Sequence, residues 1–255
     1  MTDPVPPHSR ASTKVPEVTL AFWAIKIAAT TLGETAGDAV SMSMDLGYLV
    51  GTLIFAAIFA VAAAVQILSR AFHPARYWTA VIATTTVGTT LADFADRSLG
   101  IGYAGGSALL LALLVASLAV WHGTLGTLSI QSISSRKAEA FYWVTVMFSQ
   151  TLGTALGDWT ADTQDLGYAR SALLFTALLV GVAVAHFSRR VSPTFTFWAA
   201  FILTRPLGAV VGDFLDKPVE DGGLALSRYS ASAVLLAFIV VVNLFMRQRA
   251  AKAAQ

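Results

Sequence analysis

The amino-acid sequence predicts an all-α membrane protein with eight transmembrane helices, arranged as four parallel two-helix repeats. Three observations lead there. Apolar residues make up 56% of the 255 residues and charged residues only 13%, whereas soluble domains carry roughly a quarter charged residues. The apolar residues gather in runs long enough to cross a bilayer, which takes ~20 residues of helix, and the mean hydropathy is +0.67. One pattern of Trp, Gly and Asp also recurs four times at fixed offsets, the mark of a repeat architecture.

The repeat opens at Trp23, Trp78, Trp143 and Trp198. Ten residues on stand Gly33, Gly88, Gly153 and Gly208, and fifteen on stand Asp38, Asp93, Asp158 and Asp213. The Trp-to-Trp spacings of 55, 65 and 55 suggest two related halves of two units each. Each motif segment precedes a plainer helix, expected at 46–68, 103–121, 168–187 and 226–246. These four are rich in Leu, Val, Ala and Phe and nearly free of polar residues. Polar groups in lipid are costly unless they face protein or water. The motif helices should therefore line the centre, and the plain helices should face lipid.

The expected organisation is a disordered cytoplasmic tail over 1–17, repeats one and two over 18–121, and a cytoplasmic linker over 122–137. Repeats three and four follow over 138–248, with a second cytoplasmic tail over 249–255. The first 17 residues hold Pro4, Pro6, Pro7 and Pro16 and no apolar stretch before a cleavage site, unlike a signal peptide. With no cysteine, disulfides, zinc thiolate sites and thiol catalysis are excluded.

On the four Trp and the Gly/Asp ends of the four segments, the chain resembles a bacterial family of uncharacterised membrane-anchored proteins. That family has four tandem repeats, each with two transmembrane helices and a prominent tryptophan. The resemblance covers about residues 18 to 248 and implies the fold, but no activity.

Two helices per unit put all four units in one orientation, related by an axis along the membrane normal. Eleven basic residues fall on the side of the termini and four (Arg97, Arg170, Lys217 and Arg228) on the side of the motif aspartates. The positive-inside rule then places both termini in the cytoplasm of a bacterial inner membrane. The opposite rim is acidic, with Asp45, Asp96, Asp162, Asp165, Asp216, Glu220 and Asp221.

The pairs Gly33/Gly37, Gly153/Gly157 and Gly208/Gly212, with Gly88/Ala92, are the small-xxx-small packing device of membrane helices. Interface anchoring explains the tryptophans. Each motif Asp is expected at the C-terminal end of its helix, where the dipole disfavours a negative charge. Either a local turn, a cap of the next segment or a salt bridge to Arg97, Arg170, Lys217 or Arg228 compensates them, or the four ends converge on a cation or proton site. Glu34 lies one turn before Asp38 on the same face. Lys26 lies ~12 Å from Glu34 along the helix axis, a lone cation deep in the bilayer. Arg205, the counterpart of Thr30, is a permanent cation in mid-helix, and Arg205 or Lys26 is expected to pair with Glu34. The candidate ion- or substrate-binding set is thus Lys26, Thr30, Glu34, Asp38, Asp93, Asp158, Arg205 and Asp213. If a metal binds, Glu34 and Asp38 are its candidate ligands, and hard ions such as Mn²⁺, Mg²⁺ or Ca²⁺ suit them. Threonines on the motif helices, among them Thr30, Thr35, Thr85, Thr89, Thr154 and Thr204, suggest a polar path, although each hydroxyl can also bond back to its own helix.

The leading expectation is a transporter or exporter of a small ion or solute, coupled to protons or to the membrane potential. The alternative is a membrane scaffold or partner subunit held by glycine packing and internal ion pairs. No nucleophile–base pair stands at a recognisable spacing, so no enzyme is expected, and no cofactor. The expected partners are the lipid bilayer and a small ion or solute, not nucleic acid, and a homo-oligomer is compatible with the pattern.

Overall fold

In the computed structural model, residues 13–164, 166–246 and 248–251 are described. Eight α-helices span them: α1 (Leu20–Asp38), α2 (Gly47–Leu68), α3 (Pro74–Asp93), α4 (Tyr103–Leu125), α5 (Arg136–Asp158), α6 (Gly167–Phe187), α7 (Pro193–Asp216) and α8 (Arg228–Phe245). The starts carry ordinary stop-and-start chemistry. The hydroxyls of Thr19, Ser135 and Ser192 accept from the backbone N–H groups of Phe22, Ala138 and Phe195, each satisfying one orphan donor of the first turn. Pro74 and Pro193 open their helices, where the missing N–H costs nothing. The central linker is shorter than expected. Helix α4 runs on to Leu125, Gly126 caps it in the left-handed region, and α5 already begins at Arg136.

The motif helices α1, α3, α5 and α7 form a closed ring, with α1 against α3 and α7, and α5 against the same two. Their aromatic ends gather on one side and their Asp ends on the other, so the four run parallel. Each plain helix packs on the motif helix of the following repeat: α2 on α3, α4 on α5, α6 on α7, and α8 back on α1. This cyclic handover seals the ring without a free edge.

The glycines explain how closely the ring closes. A Cβ at Gly33 would overlap Thr85, one at Gly153 would overlap Arg205, and one at Gly208 would overlap Thr30, while one at Gly88 would press on Gln150 at 3.0 Å. The glycine ten residues after each Trp therefore receives the side chain seven residues after the Trp of the next repeat, all the way round. Gly37, Gly157 and Gly212 repeat the arrangement one turn on, against Thr89, Ala209 and Glu34.

Two expectations about helix ends need correction. First, the motif aspartates do not stand at free C-termini. Helices α1, α3 and α5 pass directly into π-helical turns at Ala39–Ser43, Phe94–Ser98 and Trp159–Thr163, and α7 runs three residues past Asp213. The carbonyls that would oppose these carboxylates are thus engaged in further helical turns. Secondly, residues 13–17 are not a disordered tail. Pro16 bridges Ala250, the Ala251 N–H donates to the Val15 carbonyl at 2.8 Å, and the Glu17 N–H donates to the Arg249 carbonyl at 2.9 Å. Val15 is buried among the aromatic residues of the ring. The remainder of both tails, 1–12 and 252–255, lies outside the described residues, as do Asp165 and Arg247.

Five helices, α2, α4, α6, α7 and α8, are long and apolar enough to cross a membrane. The other three, α1, α3 and α5, have 19, 20 and 23 residues. Their threonines and charges lower the hydropathy; most of the threonines, with Lys26, Glu34 and the motif aspartates, are buried, whereas Arg76, Thr79, Arg136 and Lys137 are exposed. The plain helices instead leave Leu53, Leu111, Leu173 and Val234 more than half exposed. An apolar exterior around a polar interior is the architecture of a multi-pass membrane protein.

Candidate functional site

Equivalent positions of the four repeats stack as layers down the ring. The residues just before and at each Trp form the first: Phe22, Tyr77, Tyr142 and Phe197 with Trp23, Trp78, Trp143 and Trp198. Their rings interlock at centroid distances of 5.1 to 6.3 Å, and the Tyr77 and Tyr142 hydroxyls meet at 2.6 Å. Trp78, Trp143 and Trp198 are buried, with Trp78 Nε1 donating to Gln248 and Trp198 Nε1 to the Leu128 carbonyl. They are therefore parts of an aromatic plug across the terminal end of the ring, and not anchors at a lipid interface. An aromatic residue precedes all four tryptophans in the sequence, a signal that could have revealed the plug.

Below the plug lies the layer of Lys26, Val81, Val146 and Phe201, all fully buried. The Lys26 ammonium sits 4.3 Å from the centre of the Phe201 ring and 3.5 Å from Gln150 Oε1. Lys26 does not pair with Glu34.

Arg205 does. It rises from the next layer, whose other members are Thr30, Thr85 and Gln150, and its guanidinium touches the three other motif helices. Nη1 donates to Glu34 Oε2 on α1 at 3.0 Å; Nη2 donates to the Thr89 hydroxyl on α3 at 2.6 Å and to the Thr154 hydroxyl on α5 at 2.5 Å. Thr89 Oγ1 also donates to Glu34 Oε2 at 3.3 Å. Thr30, in contrast, stands apart from the charges. Its hydroxyl lies against the Ile27 carbonyl of its own helix and the Thr204 carbonyl of α7. Most of the threonines behave likewise: Thr31, Thr84, Thr86, Thr90, Thr151 and Thr204 bond back to their own helices. The protons of these hydroxyls are engaged within their own helices.

The last layer gathers the four motif aspartates, all at least 96% buried. Two cations bridge them in pairs. Lys217 Nζ lies 2.5 Å from Asp38 and 3.1 Å from Asp213. Arg97 lies 2.8 Å from Asp93 and 3.8 Å from Asp158. Each cation stands four residues after the Asp of its own repeat, in repeats two and four only, so the halves of the chain match. Arg228 adds Asp216 at 3.2 Å, while Arg170 is exposed. Convergence and compensation, posed as alternatives by the sequence, occur together. Burial works against the charge on Lys217, but Asp213 and Asp38 more than offset it and hold its pKa above the usual lysine range. Burial also opposes the charge on Arg97, and Asp93 and Asp158 raise its pKa in the same way.

Carboxylate oxygens of Glu34, Asp38 and Asp93 lie within 4.8 Å of one another, as do those of Asp38, Asp213 and Asp216. Both trios already face side-chain cations: Glu34 faces Arg205, Asp38 and Asp213 face Lys217, Asp93 faces Arg97, and Asp216 faces Arg228, so an added hard cation or a shared proton has to compete with these groups. A crevice of about 790 Å³ runs elsewhere, along Trp23, Ile27, Leu179, Phe197 and Ala200 on the outside of α1, α6 and α7. Its apolar lining on the exterior suits lipid and does not bear on the charged layers.

No curated protein and no solved structure matches the chain. The repeat described as Repeat of Unknown Function (DUF347) matches four times, over residues 21–72, 76–127, 141–192 and 196–250. Each match holds one motif helix and the plain helix after it, and together they take in the whole ring; the chain belongs to the DUF347 repeat family.

Proposed function

We propose that this protein transports a small ion or solute across a bacterial inner membrane, with the charged interior of the ring as its site. The observation that carries the reading is the Arg205–Glu34 pair. It stands in the middle of four parallel helices, in contact with each of them, with five further carboxylates on one side. Buried ions are an expensive way to hold helices together, and intramembrane charges mark ion and proton paths by default. All eight helices span the bilayer in this reading, the four repeats point the same way, and both termini are cytoplasmic. The Asp layer then opens toward the outside and the aromatic plug toward the cytoplasm. Glu34, Asp38 and Asp93 bind the cation or proton, and Arg205 competes with it for Glu34.

The alternative, a scaffold or partner subunit, draws support from two features. Lys217 and Arg97 already compensate the aspartates, and most threonine hydroxyls are engaged within their own helices. Flux separates the readings. Purified protein in proteoliposomes should move protons or one of Mn²⁺, Mg²⁺ and Ca²⁺, and Glu34→Gln should abolish that flux when it is normalised to the folded protein reconstituted. Folded wild-type protein that moves none of them, and whose melting point none of them raises, supports the scaffold.

A further inference from the structure

The layer beneath the aromatic plug holds donors without acceptors. Lys26 makes no ion pair among the described residues, and its ammonium meets only a long bond to Gln150 Oε1 and the face of Phe201. Gln150 Nε2, the neighbouring Ser149 Oγ and Arg205 Nε are buried with no hydrogen-bond partner among the described residues. Lys26, Ser149, Gln150 and Arg205 are all 0% exposed. Unsatisfied donors of this kind are rare in folded interiors, because each costs its full desolvation. The carboxylates cannot serve them: Glu34 is committed to Arg205, and the aspartates lie one layer further on.

We propose that Lys26 and Gln150 form a binding site for a small monovalent anion, such as chloride, nitrate or acetate. An ammonium buried here without a counter-ion must either give up its proton or gain one negative charge, and the anion supplies that charge. The Lys26–Gln150 bond of 3.5 Å is too long to be strong. Turning the Gln150 amide over brings Nε2 to where Oε1 stands, so that amide and ammonium both donate to one acceptor between them. The Phe201 ring presents its face to the ammonium, which favours the cation and leaves the anion to the amide side. The plug closes this layer toward the terminal side, so an anion enters past Arg205. The proposal rests on the transport reading and gives the site a second substrate class: an anion bound beyond the Arg205–Glu34 pair, next to a cation or proton bound before it.

The experiment uses the full-length protein in detergent micelles. Melting is followed in sodium chloride, sodium nitrate and sodium acetate against sodium gluconate, with ionic strength held at ~0.15 M so that screening is constant. Binding to the native state raises the apparent melting point. Wild type should show a saturable rise with at least one of the three small anions and not with gluconate. Lys26→Met fits an otherwise apolar layer, and it should shift the half-saturating concentration upward by at least about tenfold. Gln150→Glu supplies Lys26 with a tethered carboxylate; it should melt higher than wild type in gluconate and lose the anion response. Wild type that ignores all three anions, or a Lys26→Met protein with an unchanged response, overturns the proposal. Cation flux in proteoliposomes is scored separately: flux without anion binding removes only this inference, and anion binding without any flux removes only the transport reading.

Discussion

Arg205 Nη1 lies 3.0 Å from Glu34 Oε2, with side-chain exposures of 0% and 3%, and the two residues come from the last and first motif helices of the chain. The pair therefore fastens the junction at which the ring closes, between α7 and α1. Arg205 at the same time reaches α3 and α5 through Thr89 and Thr154. One side chain thus brings all four repeats into a single hydrogen-bonded unit.

Breaking that pair from one side should cost more than removing it whole. Arg205→Met leaves Glu34 buried without its counter-ion, and Glu34→Gln leaves the guanidinium so. Losing one partner of a buried ion pair costs about 3–5 kcal/mol, whereas replacing both with apolar groups is often neutral. Denaturant unfolding in detergent should rank wild type and the Glu34→Met/Arg205→Met double variant close together, with both single variants far below. A double variant whose loss equals the sum of the two single losses would mean that the two residues do not interact.

The ring glycines should be unequal in their tolerance of alanine. A methyl at Gly33, Gly153 or Gly208 meets a neighbouring helix, whereas one at Gly123 or Gly181 meets nothing within 4 Å. Overpacking of this kind costs roughly 1–3 kcal/mol. Gly208→Ala should lower the melting point by several degrees and Gly181→Ala should leave it unchanged. Gly88→Ala, where the nearest atoms lie at 3.0 Å, should fall between them.

The repeat, its two-helix unit and the split between motif and plain helices were legible in the sequence because each is a matter of spacing along one chain. Pairing of Arg205 with Glu34 was legible too, since a buried charge must find a partner and the candidates were few. The cyclic handover, with α2 on α3 and not on α1, was not legible: hydropathy marks an apolar face but does not say which neighbour covers it. Trp78, Trp143 and Trp198 were misread as interface anchors for the same reason. Burial of Trp78 and Trp143 comes from aromatic neighbours on other helices, and only the aromatic residue preceding each Trp hinted at it. The threonines misled because a hydroxyl satisfied by its own helix looks, in sequence, the same as one lining a path. Residues 13–17 carry no periodicity, so nothing local marked them as ordered.

Lys217 should be essential to the Asp layer and replaceable only by another cation. Its folded pKa is raised, so its stabilising charge is fully present below the unfolded lysine value of ~10.4 and fades only as the pH rises through the folded value. Lys217→Met should therefore lose stability at neutral pH, where lysine stays charged. Lys217→Arg should retain most of the wild-type melting point. A Lys217→Met protein as stable as wild type at neutral pH would show that Asp38 and Asp213 do not depend on this ammonium.

The amino-terminal segment should act as a fastening for the plugged end. Lys14 Nζ lies 2.5 Å from Glu139 Oε1 on α5 and donates to the carbonyls of Gln66, Ile67 and Ser69 at the end of α2 at 3.1, 2.9 and 2.8 Å. Those carbonyls are among the orphan acceptors of a helix C-terminus, and a cation is the favourable group there. The same segment ties the chain near Ala251 through the Thr13 hydroxyl, which donates to the Ala251 carbonyl at 2.9 Å. Lys14→Met removes a buried charge that serves α2, α5 and the segment itself, and should cost about 3–5 kcal/mol by leaving Glu139 unpaired. Glu139→Gln should cost less, because the three carbonyls still hold the ammonium. Hydrogen exchange decides whether the loss is local: in Lys14→Met, amides at the end of α2 and the start of α5 should exchange faster, while those around Gly208 keep wild-type rates. Uniform acceleration across all eight helices would mean that the segment stabilises the whole ring and not its plugged end alone.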